Sequence, residues 1–207
     1  MHIARIMLLV AGPDQALIDR VVRHLDGEAI EVVEKLSFTQ ALERQASTLL
    51  FVESIPRTGI AAMTESGVVA SLVQAAEAPS VSRVLVVTTR VDTDSELRRL
   101  RRSGARYVII RPPTVIDVDA LRGKRVLVPR TACDAAFVTM DDLVRAVGDA
   151  VRDRKLMGVT IDVEPSGLAA LEAAGAKPRV VAPWRAKVGR WFNQPVLEAG
   201  RTTAHPS

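Results

Sequence analysis

The strongest constraint on this chain is an alternation that runs from residue 3 to residue 111. Short apolar runs rich in β-branched residues are each followed by a longer stretch with helical spacing. Residues 3–10 read as a buried strand, and residues 15–25 as an amphipathic helix with Leu17, Ile18, Val21, Val22 and Leu25 on its inner face. The pattern continues with a strand at 29–33, a helix at 38–45, a strand at 48–52, a helix at 67–76 and a strand at 83–88. A helix at 94–103, closed by Gly104, leads to a fifth strand at 107–111, which Pro112 and Pro113 stop. Strands joined by crossover helices run parallel, and the helices cover both faces of the sheet they form. The expected fold class is α/β, doubly wound, with a mostly parallel sheet. Further on, strands at 125–128 and 158–163 flank a helix at 140–152.

Composition limits what such a sheet belongs to. Hydrophobic residues make up 48% of the 207 positions, enough to fill a core. The single cysteine, Cys133, rules out an internal disulfide framework and any multi-cysteine metal site. His2, His24 and His205 are scattered, so no metal site is expected. No apolar run approaches the roughly 18 residues of a membrane span, and residues 1–5 lack the charged-then-apolar start of an export signal. The expectation is a soluble, cytoplasmic protein.

The net charge of +4 has a definite location. Residues 171–207 hold six Lys/Arg against two acidic residues, while the first 170 residues balance. Residues 1–170 are therefore read as the folded domain and residues 171–207 as a basic, aromatic extension. A neutral body with a basic tail differs from a domain with a basic face, and no nucleic acid is expected as a partner. In the extension, Trp184, Val188, Trp191 and Phe192 recur at helical spacing behind Pro183, with Arg185, Lys187 and Arg190 largely off that stripe. A short basic amphipathic helix of this kind has three uses. It completes the chain's own core, docks on a protein partner or second copy, or lies on an anionic membrane surface.

Within the body, the turn after the first strand decides whether a dinucleotide can sit there. Such a turn needs glycines, so that the backbone approaches the diphosphate and the helix lies close to the strand. Here Gly12 supplies the tight turn, but Gln15 and Ile18 occupy the other two positions of the Gly-x-x-Gly-x-x-Gly spacing. Asp14 puts a carboxylate at the helix start, where it serves as a cap and repels a phosphate. The turn reads as structural.

Other candidate chemistry is weaker. Arg98, Arg99, Arg101 and Arg102 around Leu97 and Leu100 read as the solvated face of an outer helix. Asp141 and Asp142 read, with Thr139, as the cap of the helix at 140–152. Cys133 has no histidine near it in sequence and reads as a buried thiol.

Four segments resemble one family in order and spacing. Residues 6–25 are similar to the opening strand, turn and helix of atypical short-chain dehydrogenase/reductases, the group with NmrA-like and epimerase-like NAD(P)-binding proteins. The run Ser103-Gly104-Ala105-Arg106-Tyr107-Val108-Ile109-Ile110-Arg111-Pro112-Pro113 resembles that family's strand ending in Arg-Pro-Pro. Residues 137–147 and 157–163 resemble its following helix and final strand. The resemblance spans about residues 3–167 and implies a Rossmann-like sheet with NAD(P)-binding reductase ancestry. The departures are as informative. The family's reductases use a Tyr-x-x-x-Lys pair for proton transfer, whereas the one tyrosine here, Tyr107, lies inside a strand and is followed four residues later by Arg111.

The reading is a non-catalytic binding or assembly subunit, with no catalytic residues and no cofactor. It would recognise a protein partner or a second copy through Trp184, Arg185, Lys187, Val188, Arg190, Trp191 and Phe192. The alternative is an NAD(P)-binding reductase or redox-sensing regulator with a divergent loop, in which Gly12 meets the phosphate and Glu34 or Lys35 the ribose. A third reading is an inert receiver-like signalling module, with Asp14, Glu53, Thr88 or Thr89, and Arg111-Pro112 near the places of that fold's active residues. Strands beyond residue 120 argue against it, since a receiver ends after its fifth strand and helix.

Overall fold

A computed structural model of the chain describes residues 7–55, 57, 68–89, 95–116, 122, 125–129, 137–164, 169, 171–172 and 175–181. Contacts divide the chain into two compact units, Met1–Ile55 with Ala62–Pro112 and Val144–Val163, and Pro56–Ala61 with Pro113–Leu143 and Glu164–Ser207. The first unit holds β1 (Met7–Ala11), α1 (Gln15–His24), β2 (Ala29–Val32), α2 (Phe38–Glu43), β3 (Thr48–Val52), α3 (Val68–Ala76), β4 (Arg83–Val87), α4 (Ser95–Arg102) and β5 (Tyr107–Arg111). The second holds β6 (Thr114–Ile116), β7 (Arg125–Pro129) and β8 (Phe137–Thr139). Helix α5 (Met140–Arg152) begins among the second unit's residues and ends among the first's; β9 (Val159–Asp162) belongs to the first and β10 (Lys177–Val181) to the second.

In the first unit six parallel strands form one sheet in the order β2-β1-β3-β4-β5-β9. The inner strands β3 and β4 are buried at every position, whereas the edge strands β2 and β9 are half-buried or exposed throughout. This is the burial expected of a parallel sheet covered on both faces. On one face Leu9, Leu49, Phe51, Val84, Val86 and Ile109 meet Ala41 of α2, Leu72 and Ala75 of α3, and Leu97 and Leu100 of α4 in a single cluster. The alternate residues Leu8, Val10, Leu50, Val52, Leu85, Val87, Val108 and Ile110 are equally buried on the other face. A right-handed crossover puts α1 on that side, with Leu17, Ile18 and Val21 inward. Helix α5 lies beside α1, close enough that a Cβ on Gly148 would stand 2.5 Å from the His24 ring.

Local sequence explains the helix ends. Ser37 caps α2 by accepting from Gln40 N at 3.2 Å. Before α5, Thr139 Oγ1 accepts from Asp142 N at 3.1 Å while Asp142 Oδ2 accepts from the Thr139 hydroxyl at 2.7 Å, a reciprocal cap of the kind read from the sequence. Gly104, at φ +76°, ends α4. On α4 Leu97 and Leu100 are fully buried, Arg98, Arg99 and Arg102 are exposed, and Arg101 donates to Thr160 Oγ1.

In the second unit β6 pairs with β8 and β7 with β10, each pair parallel. The sequence reading had no strand at β6, β8 or β10, and β10 lies within the segment read as an extension. The stretch read as a helical tail, with Trp184, Arg185, Lys187, Val188, Arg190, Trp191 and Phe192, lies outside the described residues, as does Cys133.

Candidate functional site

In an open parallel sheet, ligands gather beyond the carboxyl ends of the strands, where the strand order reverses. Here the reversal is at β1, which has β2 on one side and β3 on the other. The usual dinucleotide-binding order places one more strand outside the second; in this sheet β2 is the edge. Four short segments follow the carboxyl ends around this point: Gly12-Pro13-Asp14 after β1, Glu34-Lys35 after β2, Glu53 after β3 and Thr88 after β4. The register Val10↔Val32, continued by Val33 N donating to Val10 O at 2.8 Å, brings Glu34 and Lys35 to the same edge as Gly12, and both are exposed.

The β1–α1 corner is held together from inside. Gly12 has φ +148°, and a Cβ there would fall 1.9 Å from the Val52 carbonyl oxygen. The missing side chain therefore lets the turn lie on β3. Asp14 is 8% exposed. Its Oδ1 accepts from Leu17 N at 3.1 Å, which caps α1, and its Oδ2 accepts from Ile55 N at 3.3 Å, which ties the turn to the segment after β3. Ile18 is fully buried under the corner. Gln15, which occupies a glycine position of the spacing, points away and donates to Asp19 at 2.7 Å.

Next to the corner, Glu53 is buried and accepts a short hydrogen bond from the fully buried Thr88 hydroxyl. The sequence placed these two residues at separate strand ends; the β3–β4 pairing, Val52↔Val87, joins them. Thr89 is exposed. At the end of β5, Arg111 makes a bidentate pair with Asp162 of β9, at 2.8 and 3.1 Å. Tyr107 is the first residue of β5, at the amino end of the sheet and half-buried against the hydrophobic cluster. The chain's one tyrosine is thus at the opposite end of its strand from the crevice. Among the described residues no group of three or more His, Cys, Asp or Glu could hold a metal ion, and no helix is long and apolar enough to cross a membrane.

Two contacts had no signal in the local sequence. The Asp14–Ile55 bond joins residues 41 apart. Arg83, at the start of β4, sends its guanidinium to the Val151 and Asp153 carbonyls at 2.5 and 2.6 Å.

The residues fit the two ends of an NAD(P) molecule unequally. An acidic residue about 20 positions beyond the first glycine is where a ribose hydroxyl is held, and a neighbouring cation suits a 2′-phosphate; Glu34 and Lys35 match both requirements. The diphosphate does not fit the α1 corner as folded, since the Leu17 and Ile55 amides are already taken by Asp14.

No family model and no curated protein matches the sequence. Solved structures do share the fold. AtPrR2 with NADP+ and (+)pinoresinol superposes with a TM-score of 0.55 at 12% identity, over 92% of this chain and 83% of that one. A short-chain dehydrogenase/reductase superfamily protein from Agrobacterium tumefaciens with bound NAD gives 0.51 at 16% identity, over 85% of each chain. An isoflavone reductase gives 0.50 at 11% identity, over 92% of this chain and 83% of that one. The chain shares with these structures a Rossmann-like α/β fold, as the sequence resemblance implied.

Proposed function

We propose that this protein binds a nicotinamide-type nucleotide at the carboxyl edge of its sheet and works as a regulatory, redox-sensing relative of the reductases whose fold it shares. The observation that carries the reading is the reversal of strand order at β1, with the exposed Glu34 and Lys35 beside it. The fold neighbours support it, two of them carrying NADP+ or NAD, and they favour this reading over a purely structural subunit. A regulator is favoured over a reductase because Tyr107 stands at the far end of β5, so no tyrosine can pass a proton to a substrate in the crevice. Calorimetric titration with NADH and NADPH tests the reading. Binding in the micromolar-to-millimolar range is expected, with no oxidation of either cofactor. Lys35→Ala should weaken NADPH about tenfold while leaving NADH nearly unchanged (a loss of about 1.4 kcal/mol). No binding of either cofactor at millimolar concentration removes the proposal.

A second reading rests on the aromatic stripe of residues 184–192. Trp184, Val188, Trp191 and Phe192, with Arg185, Lys187 and Arg190 around them, suit an acidic, apolar groove on a protein partner or second copy. If that stripe holds two copies together, the double substitution Trp184→Ala/Trp191→Ala should halve the mass measured by light scattering. An unchanged mass, with unchanged co-purifying proteins, argues against any partner at this segment.

A further inference from the structure

We infer that Asp14 is a built-in competitor for the diphosphate of a bound nucleotide, so that a dinucleotide is held by its nucleoside end and gains nothing from its diphosphate at the start of α1. The inference rests on the ligand reading above and narrows it to the part of the ligand that is recognised. The Asp14 carboxylate bridges two backbone amides from separate segments, Leu17 N at 3.1 Å and Ile55 N at 3.3 Å. Two amides converging at a helix start are what a phosphate takes in dinucleotide-binding sheets. Here one carboxylate satisfies both, and it does so while buried. An incoming diphosphate must expel Asp14 from both amides, and the displaced carboxylate then stands against a group of its own sign.

Among the described residues, others at this corner also stand against a diphosphate. The space a Cβ would fill at Gly12 is closed by the Val52 carbonyl oxygen, so that glycine brings the turn onto β3 and opens no path for phosphate. Ile18 fills the place where a third glycine would let the helix approach the strand. Glu53, two residues before Ile55, adds a second buried carboxylate at the same edge. By contrast, nothing of this kind stands at the end of β2, where Glu34 is exposed and suited to ribose hydroxyls. Of these groups Asp14 is the one that occupies the amides themselves, so its replacement is the direct test of discrimination between adenosine and its diphosphate derivatives.

The test compares the wild-type protein and Asp14→Ser by calorimetry, with adenosine and ADP-ribose as probes. Serine keeps an N-cap hydroxyl for the Leu17 amide and removes the carboxylate. Wild-type protein is expected to bind adenosine at least as tightly as ADP-ribose. In Asp14→Ser the affinity for ADP-ribose should rise about tenfold, with adenosine changed by less than about twofold. Adenosine binding to both proteins without that rise overturns the inference and leaves the ligand reading standing. A rise for ADP-ribose with no adenosine bound by either protein upholds the competition by Asp14 and overturns recognition through the nucleoside end. No binding of either probe by either protein overturns both. If Asp14→Ser does not fold, as judged by circular dichroism, Asp14→Asn, which keeps the shape and one acceptor, is read by the same ratio.

Discussion

Gly12→Ala is expected to lower stability by about 4 kcal/mol or more, the largest effect expected at any of the described glycines. Two penalties act together. The backbone there has φ +148°, a region that L side chains rarely adopt, and the new Cβ would lie 1.9 Å from the Val52 oxygen, 2.7 Å from its carbon and 2.9 Å from its nitrogen. All three are backbone atoms of an inner strand, so no rotamer change relieves the clash. The turn would have to lift from β3, and in lifting it would break the Asp14–Ile55 bond. A native protein holds only about 5–15 kcal/mol in reserve, so much of the folded population is at stake. Urea denaturation followed by circular dichroism measures the loss. Gly27→Ala is the control: its φ is +90°, but nothing lies within 4 Å of the added Cβ, so it carries only the backbone penalty. Equal midpoints for the two variants would remove the steric argument.

The second large effect is expected at Arg83. This side chain is 4% exposed, and its guanidinium donates to the last carbonyls of α5, at Val151, and just beyond it, at Asp153. Helix carboxyl ends leave carbonyls without intrahelical partners and favour a cation beside them. Burial, and then the charge of Arg154, lower the pKa of Arg83 from its ordinary value, while Asp153 opposes them. The guanidinium still carries its proton at neutral pH, because its ordinary value lies so far above neutrality. Arg83→Ala would leave a cavity and take the donor from one buried carbonyl, Val151, and one half-buried carbonyl, Asp153, for a loss of about 3 kcal/mol. Arg83→Lys should recover part of it, since an ammonium reaches one carbonyl more readily than two diverging ones. Amide exchange along α5 is the sensitive readout: the alanine variant should speed exchange in its last turn. Protection of that turn equal to wild type would show that the pair of bonds contributes nothing.

The parallel sheet was legible because its inner strands are apolar on both faces and bounded by turn residues. Thr48–Val52 and Tyr107–Arg111 appear with the limits read from the sequence, and α1 and α5 begin at Gln15 and Met140 as their caps indicated. The strands that escaped notice are those whose pairing is not written in their own residues. Thr114–Ile116 and Phe137–Thr139 are three residues each, too short to show a period, and Lys177–Val181 contains Pro178, which reads against a strand except at an edge. The site divides in the same way. Asp14 was legible as a cap, since capping is local, but its second oxygen meets an amide 41 residues away. Gln15 was legible as the occupant of a glycine position, but not that the helix turns it outward to Asp19. Glu53 and Thr88 were each visible at a strand end, yet only the β3–β4 register makes them partners.

During synthesis the sheet waits for its last strand. Strand β5 is complete at Arg111, but β9, which covers its outer edge, begins only at Val159. At about 5–20 residues per second, the ribosome takes on the order of several seconds to make the intervening stretch. Over that interval the apolar residues Val108, Ile109 and Ile110 sit on an open edge whose amides and carbonyls invite any passing strand. At the finished edge the Arg111–Asp162 pair adds a bidentate contact that β9 offers at this register.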